Sequence, residues 1–156
     1  MERGLTFEGF FLDARPRLIH AIRFTVGDDD LAVDVVDEAF TRAYDRWTEV
    51  AAMANPSGWV YRVALNLARN RFRRLRLERS RPQPVRLVHD DVVSDPSLAR
   101  ALAQLPSDQR SVLVLRFYLD WSVDEVATAL GLAPGTVKSR VHRGLRRLES
   151  MLEERP

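Results

Sequence analysis

Apolar residues return along this chain at the three-and-four spacing of helices, and no stretch alternates with period two for long enough to lay out a strand. Phe7, Phe11, Ala14, Leu18 and Ile22 stripe a first predicted helix, which Gly27 and the triplet Asp28, Asp29, Asp30 interrupt. Leu31, Val35, Ala39, Phe40, Ala43, Tyr44 and Trp47 stripe a second. The triplet is expected to cap this second helix through a side-chain oxygen and to favour its positive dipole end, since no nearby residue completes a metal site. Asn55-Pro56-Ser57-Gly58 reads as a turn, after which Trp59 opens a third helix running to about Leu77. Its Trp59, Val63 and Leu67, with Val60 and Ala64, can face a core. Arg62, Asn66, Arg69, Asn70 and Arg73 take the opposite side, which is both basic and rich in amides.

From Glu78 to Pro96 the periodicity breaks at Pro82, Pro84 and the acidic His89-Asp90-Asp91, which predicts a flexible linker. Helical spacing resumes at Leu98 with a short helix to about Leu105. Pro106 and Ser107 then introduce another through about Tyr118, carrying Val112, Leu113, Leu115 and Arg116. The expected fold is therefore all-α: two small helical domains, residues 1–77 and 98–156, joined by a flexible linker over 78–97. The second is expected to be a four-helix domain containing a helix-turn-helix.

That motif is legible in its turn chemistry. Ser122-Val123-Asp124-Glu125 has the form of a capping box, with Val123, Val126, Ala127 and Leu130 giving the helix one apolar face. Gly131 stands where the chain leaves the helix in a left-handed conformation, and Pro134 suits the first turn of the next. Ala127, Gly131 and Val137 supply a small residue at a close crossing, a glycine in the turn and an apolar lock on the second helix. Ala133 departs from the pattern, because a serine there would cap the second helix; its absence costs about 1 kcal/mol. Val137, Val141, Leu145, Leu148 and Leu152 are expected to be buried. Thr136, Lys138, Ser139, Arg140, His142 and Arg143 are then left for a major groove, with Arg146 and Arg147 in reach of phosphates. The plainer alternative is a helical hairpin with a solvated basic face; the coincidence of turn chemistry and basic face favours DNA.

Charge sharpens this picture. The net charge of +2 conceals four blocks. Residues 1–54 hold six arginines against eleven acids, and residues 55–86 nine arginines against Glu78 alone. Residues 87–134 hold three against seven, and residues 135–156 six basic against three acidic. Two basic blocks between acidic ones fit a protein that touches polyanion at two places and another partner with its acidic surfaces. Lys138 is the sole lysine, and arginine dominance favours planar contacts to phosphates and bases. There is no cysteine, and His20, His89 and His142 have no ligand-like spacing, so neither metal nor cofactor is expected. No apolar run approaches the roughly 18 residues of a membrane span, and no leader pattern opens the chain, which predicts a cytoplasmic protein.

Three stretches in order resemble the extracytoplasmic-function (ECF) sigma factors, the compact two-domain members of the sigma-70 family of bacterial transcription initiation subunits. Leu105-Pro106, Arg110-Ser111-Val112-Leu113, Ser122 to Leu130 and Gly135-Thr136-Val137-Lys138-Ser139-Arg140 resemble the family's region 4. Asp34-Val35-Val36-Asp37-Glu38-Ala39-Phe40 resembles the part of region 2 that docks on core polymerase. Trp59-Val60-Tyr61-Arg62-Val63-Ala64, with Asn66 and Arg73-Arg74, resembles the part that opens the promoter.

The resemblance implies a sigma region 2 domain in the first unit and a region 4 domain in the second. Asp34, Asp37 and Glu38 are implied to dock on the β′ coiled coil of core RNA polymerase, Asp37 standing where the family more often has glutamine, and region 4 to meet the β flap. Asn66, Arg69, Asn70 and Arg73, with the loop at 55–58, are implied to capture the unpaired strand of the minus-ten element. Arginines can track its phosphates, while amides read an edge of a flipped base. Gly135, Thr136, Lys138, Ser139, Arg140, His142 and Arg143 are implied to read the minus-thirty-five element as duplex. His89, Asp90 and Asp91 are implied to follow the family's linker through the polymerase cleft. Many family members are held by an anti-sigma factor, a further expected partner. The competing reading is a stand-alone helix-turn-helix regulator whose first half dimerises or binds a ligand. An enzyme is disfavoured, because no nucleophile-base pair, phosphate-cradling loop or metal spacing occurs.

Overall fold

The computed structural model describes residues 4–78 and 95–154, and all regular structure among them is helical. The predicted linker, with His89, Asp90 and Asp91, lies mostly outside the described residues.

Helix α1 spans Phe7–Val26. Thr6 caps it by accepting from the Gly9 N–H at 3.1 Å, and Gly27, at φ 72°, ends it by donating to the Arg23 carbonyl at 2.7 Å. Helix α2, Asp29–Asp45, opens on Asp28, whose carboxylate accepts from the Leu31 N–H at 3.0 Å. The capping role expected of the triplet thus falls to Asp28, while Asp29 pairs with Arg23 at 2.6 Å.

The stripe expected to carry α2 through Trp47 is broken at Arg46, and a short helix α3 follows over Trp47–Ala51. Trp47 is drawn onto the α1 aromatics, its ring centroid 5.4 Å from Phe10 and 5.5 Å from Phe7. Helix α4, Pro56–Glu78, begins earlier than the pattern predicts. The presumed turn is its first turn: the Asn55 side-chain oxygen accepts from the Gly58 N–H at 3.1 Å, and Pro56 occupies the first position, where no N–H is needed.

In the second half, α5 spans Pro96–Gln104 under an Asp95 cap and α6 spans Ser107–Leu113. The helix expected to continue to Tyr118 changes character after Leu113. Val114–Tyr118 forms a π turn, in which Leu119 N–H reaches back five residues to the Val114 carbonyl at 3.1 Å. The Arg116 guanidinium holds the far end by donating to the Trp121 carbonyl at 2.6 Å, and Asp120 adopts φ 57° between them.

Helices α7, Val123–Leu130, and α8, Pro134–Glu153, complete the second half. Leu113 meets α8 at Gly144, where an added methyl carbon would lie 3.0 Å from its Cδ1. This close seat rotates α8 so that its inner face runs through Val137, Val141, Gly144 and Leu148. Leu145 and Leu152, expected inside, are pushed to the rim and stand 43% and 40% exposed.

The two halves share one apolar core. Leu18, Ile22, Val35, Val36, Phe40, Val60 and Tyr61 belong to the same buried cluster as Val112, Leu115, Trp121, Val126 and Val137. Helix α4 packs against α7, and α1 against α6 and the π turn. Burial of each large side chain contributes about 1.5–3 kcal/mol, so this junction is a substantial part of the fold's cohesion.

Candidate nucleic-acid and polymerase interfaces

The helix-turn-helix is assembled by local chemistry. Ser122 Oγ accepts from the Glu125 N–H at 3.1 Å while the Glu125 carboxylate accepts from the Ser122 N–H at 3.1 Å, closing both ends of the capping box. Gly131 leaves α7 at φ 67°, and Leu132 N–H returns to the Ala127 carbonyl at 2.9 Å. Ala133 offers no side-chain cap to α8, and Pro134 occupies the start of that helix.

With Val137 wholly buried, Gly135, Lys138, His142 and Arg143 are exposed and Thr136, Ser139 and Arg140 half-buried. Arg140 Nε lies 3.7 Å from an Asp108 carboxylate oxygen at the start of α6. That distance is an electrostatic contact longer than a hydrogen bond, and the guanidinium keeps donors for another acceptor. Arg110, in the Arg-Ser-Val-Leu stretch, is buried, and its Nε and Nη1 have no hydrogen-bond partner among the described residues. Burial lowers the pKa of its guanidinium.

On α4, Asn66, Arg69, Asn70 and Arg73 are all exposed, and their three-and-four spacing lines them along one face. Beneath it Tyr61 is wholly buried. Thr25 gives its single proton to the Ala21 carbonyl at 2.9 Å, so Tyr61 donates to Thr25 Oγ1 across 3.2 Å. Desolvation pushes the phenol up to about 12. Trp59 is half-buried on the core and also borders a cleft with Arg42, Asp45, Arg46 and Val63.

The three α2 acids are unequal. Asp37 receives both prongs of Arg15, at 2.7 and 3.0 Å, and this hydrogen bonding raises the arginine's pKa. Glu38 is shared by Arg42 at 3.1 Å and Arg71 at 2.8 Å. Asp34 is exposed, and its side chain makes no ion pair or hydrogen bond among the described residues. Beside Arg15 and Asp37 lies a groove of about 400 Å³ lined by Phe7, Phe11, Phe40, Thr41 and Tyr44. Sequence reasoning placed the aromatics in the core stripe and passed over Arg15 and Arg71; Tyr44, at 65% exposure, is the residue whose outward position breaks that stripe.

Comparison with known proteins converges on one family. The model for sigma-70 region 2 matches residues 10–78, and that for sigma-70 region 4 matches residues 96–148. The ECF RNA polymerase sigma factor SigL of Mycobacterium tuberculosis is 35% identical over 149 residues, 86% of this chain and 81% of that protein. The RNA polymerase sigma-E factor of Streptomyces avermitilis is 34% identical over 97% of this chain and 87% of its own. The fold matches the sigma factor RpoE solved with the anti-sigma factor NepR from Bartonella quintana, with a TM-score of 0.78, 23% identity, and coverage of 96% of this chain and 98% of that one. Nothing in these matches favours a stand-alone regulator over a polymerase subunit. With both regions in order and relatives matched nearly end to end, the chain belongs to the ECF sigma factors of the sigma-70 family, which direct transcription initiation by bacterial RNA polymerase.

Proposed function

We propose that residues 1–77 form a unit that docks on core polymerase and captures the minus-ten strand, and residues 98–156 a unit that reads the minus-thirty-five duplex. The observation that carries this reading is the separation of surfaces. The α8 groove residues Gly135, Thr136, Lys138, Ser139, Arg140, His142 and Arg143, the α4 face Asn66, Arg69, Asn70 and Arg73, and the α2 acids each lie on their own helix. Arg140 and Thr136 suit base edges, the α4 arginines suit single-strand phosphates, and Asn66 and Asn70 suit an unpaired base. Asp34 is the most available acid for a basic helix such as the β′ coiled coil, and the apolar surface around Phe117 and Leu145 suits the β flap.

On this reading the chain is a specificity subunit without catalysis of its own and works in the cytoplasm beside polymerase. Among the described residues no helix is long and apolar enough to cross a membrane, and no cluster of three or more His, Asp or Glu side chains is placed to hold a metal. The sigma factor RpoE, which shares this fold, is solved with the anti-sigma factor NepR, which supports a partner of that kind here.

Runoff transcription with core polymerase and a genomic promoter library tests the assignment. Transcripts starting downstream of one bipartite motif are expected. A chain that instead binds palindromic duplex as a dimer and leaves polymerase start sites unchanged would overturn it.

A further inference from the structure

Helices α2 and α4 pack side by side, and a cleft of about 360 Å³ opens between them. Arg42, Asp45 and Arg46, at the C-terminal end of α2, form one wall, and Trp59 and Val63, in the N-terminal part of α4, form the other. Arg42 and Arg46 stand one turn apart, as do Trp59 and Val63, so each helix turns one edge toward the cleft. None of the docking or DNA-reading residues assigned above lines it.

Its polar groups are unspent. Asp45 and Arg46 are exposed, and their side chains make no ion pair or hydrogen bond among the described residues; the indole N–H of Trp59 donates to none of them either. Arg42 gives one nitrogen to Glu38 at 3.1 Å and keeps further donors. Trp59 is packed on the core along part of its ring, which holds the indole still and leaves a fixed surface on which a base can stack. Beside it stand a carboxylate, which only accepts, and guanidinium groups, which only donate. An unpaired guanine answers both, with adjacent N–H donors at N1 and N2 and acceptors at O6 and N7. Adenine offers one amino donor and no O6. The volume lies at the small end of the range for ligand sites, which suits one nucleotide, and the second arginine suits its phosphate.

Trp59 also borders the cleft beside the loop at 55–58, together with Asn55, Gly58 and Arg62. Gly58 and Arg62 each precede a residue of the first cleft by one position, a rotation of about 100° around α4. One indole thus stands between the loop proposed to hold an unpaired base and the Arg46 cleft, and a strand that crosses it passes from one to the other.

We infer that the cleft of Arg42, Asp45, Arg46 and Trp59 is a second nucleotide subsite, which takes an unpaired guanine of the promoter strand close to the base held at the loop. The inference rests on the minus-ten assignment made above. It makes Asp45 and Arg46 specificity-determining residues: the carboxylate accepts from N1 and N2, and the guanidinium donates to O6.

The test uses holoenzyme assembled with core polymerase and a pre-opened promoter recovered by runoff transcription, with the base removed at one position of the unpaired strand at a time. Two positions are expected at which loss of the base weakens binding at least about fivefold. At the second, inosine in place of guanine should weaken binding about threefold, because it lacks the N2 amine. Asp45→Ala and Arg46→Ala should copurify with core like the parent. They should shrink the penalty at the second position below about twofold and leave that at the first unchanged.

One sensitive position, a second without guanine, or a second that neither variant alters overturns the inference and leaves the minus-ten assignment standing. No sensitive position, or no transcript at all, removes both. Loss of core polymerase by either variant gives the cleft to the polymerase and overturns the inference as well. Equilibrium dialysis of the free full-length chain against 5′-GMP separates the other source of the same chemistry. Saturable binding that Arg46→Ala abolishes, without a second sensitive position in the strand, would make this a site for a free nucleotide and overturn the strand assignment.

Discussion

Arg15 and Asp37 face one another across α1 and α2 as a two-pronged ion pair, 2.7 and 3.0 Å long, 22 residues apart in the chain. The pair stands beside the aromatic groove and spends one of the three acids of the proposed docking face on the protein itself. Glu38, held by Arg42 and Arg71, is spent likewise. Asp34 is left as the charge most available to a partner.

Asp34→Lys is therefore expected to leave the melting transition within about 0.5 kcal/mol of the parent, as a solvated surface change should. Copurification with core polymerase should fall at least about tenfold. Asp37→Ala should cost no more than about 1 kcal/mol, because the pair is partly exposed and screened. Undiminished copurification by Asp34→Lys would remove this face from the docking assignment.

Gly144 makes a separate test of the fold. Alanine there gains helix propensity of about 1 kcal/mol, but its methyl group would press on Leu113 Cδ1 at 3.0 Å and Cγ at 3.2 Å. Leu113 is 3% exposed and has little room, so overpacking of about 1–3 kcal/mol outweighs the gain. Urea denaturation should show Gly144→Ala less stable than the parent. A more stable variant would mean that α6 and α8 are less closely seated than the structure indicates.

Tyr61 ties stability to alkaline pH. Its proton is held in the folded state up to about pH 12, whereas in the unfolded chain a tyrosine releases it near 10. The folded state then binds more protons than the unfolded one between those values. Stability is fully present below pH 10 and declines through that window, by at most about 1.4 kcal/mol per pH unit from this group. Tyr61→Phe should flatten the slope while losing about 1 kcal/mol at neutral pH for the missing hydrogen bond to Thr25. An unchanged slope in the variant would assign the alkaline transition to other groups.

Arg140 and Asp108 link specificity to charge. Arg140→Ala should cost about 1–3 kcal/mol at one promoter position if it contacts two acceptors on a guanine, and equal losses on every sequence would reduce it to a phosphate contact. Asp108→Asn removes an acid near that guanidinium and should strengthen binding to all duplexes. In a binding titration the gain should shrink when Arg140 is also replaced, because the two effects meet at one pair.

What could be read in advance follows the range over which each feature is determined. The turn from Ser122 to Pro134 was readable because capping box, left-handed glycine and first-turn proline are decided within a few residues. The start of α4 lies three residues before the Trp59 that periodicity predicts, although its signals are equally local: Asn-Pro before a helix supplies both a cap and a first position. The π turn was not readable, because Trp121 is placed by Tyr61, sixty residues earlier, as well as by the neighbouring Arg116. The same holds for the candidate site. Asp34, Asp37 and Glu38 look equivalent along the chain, and only packing shows which of them meets an arginine from another helix.

The extra residue absorbed between Val114 and Tyr118 fixes the direction in which Trp121 leaves its helix. Each helical residue turns the chain by about 100°, so deleting one residue there and restoring a regular helix would swing Trp121 away from Tyr61. Neither of the helices proposed to read DNA would change in sequence. In this chain, then, one residue of register decides whether the second half clasps the first through Trp121.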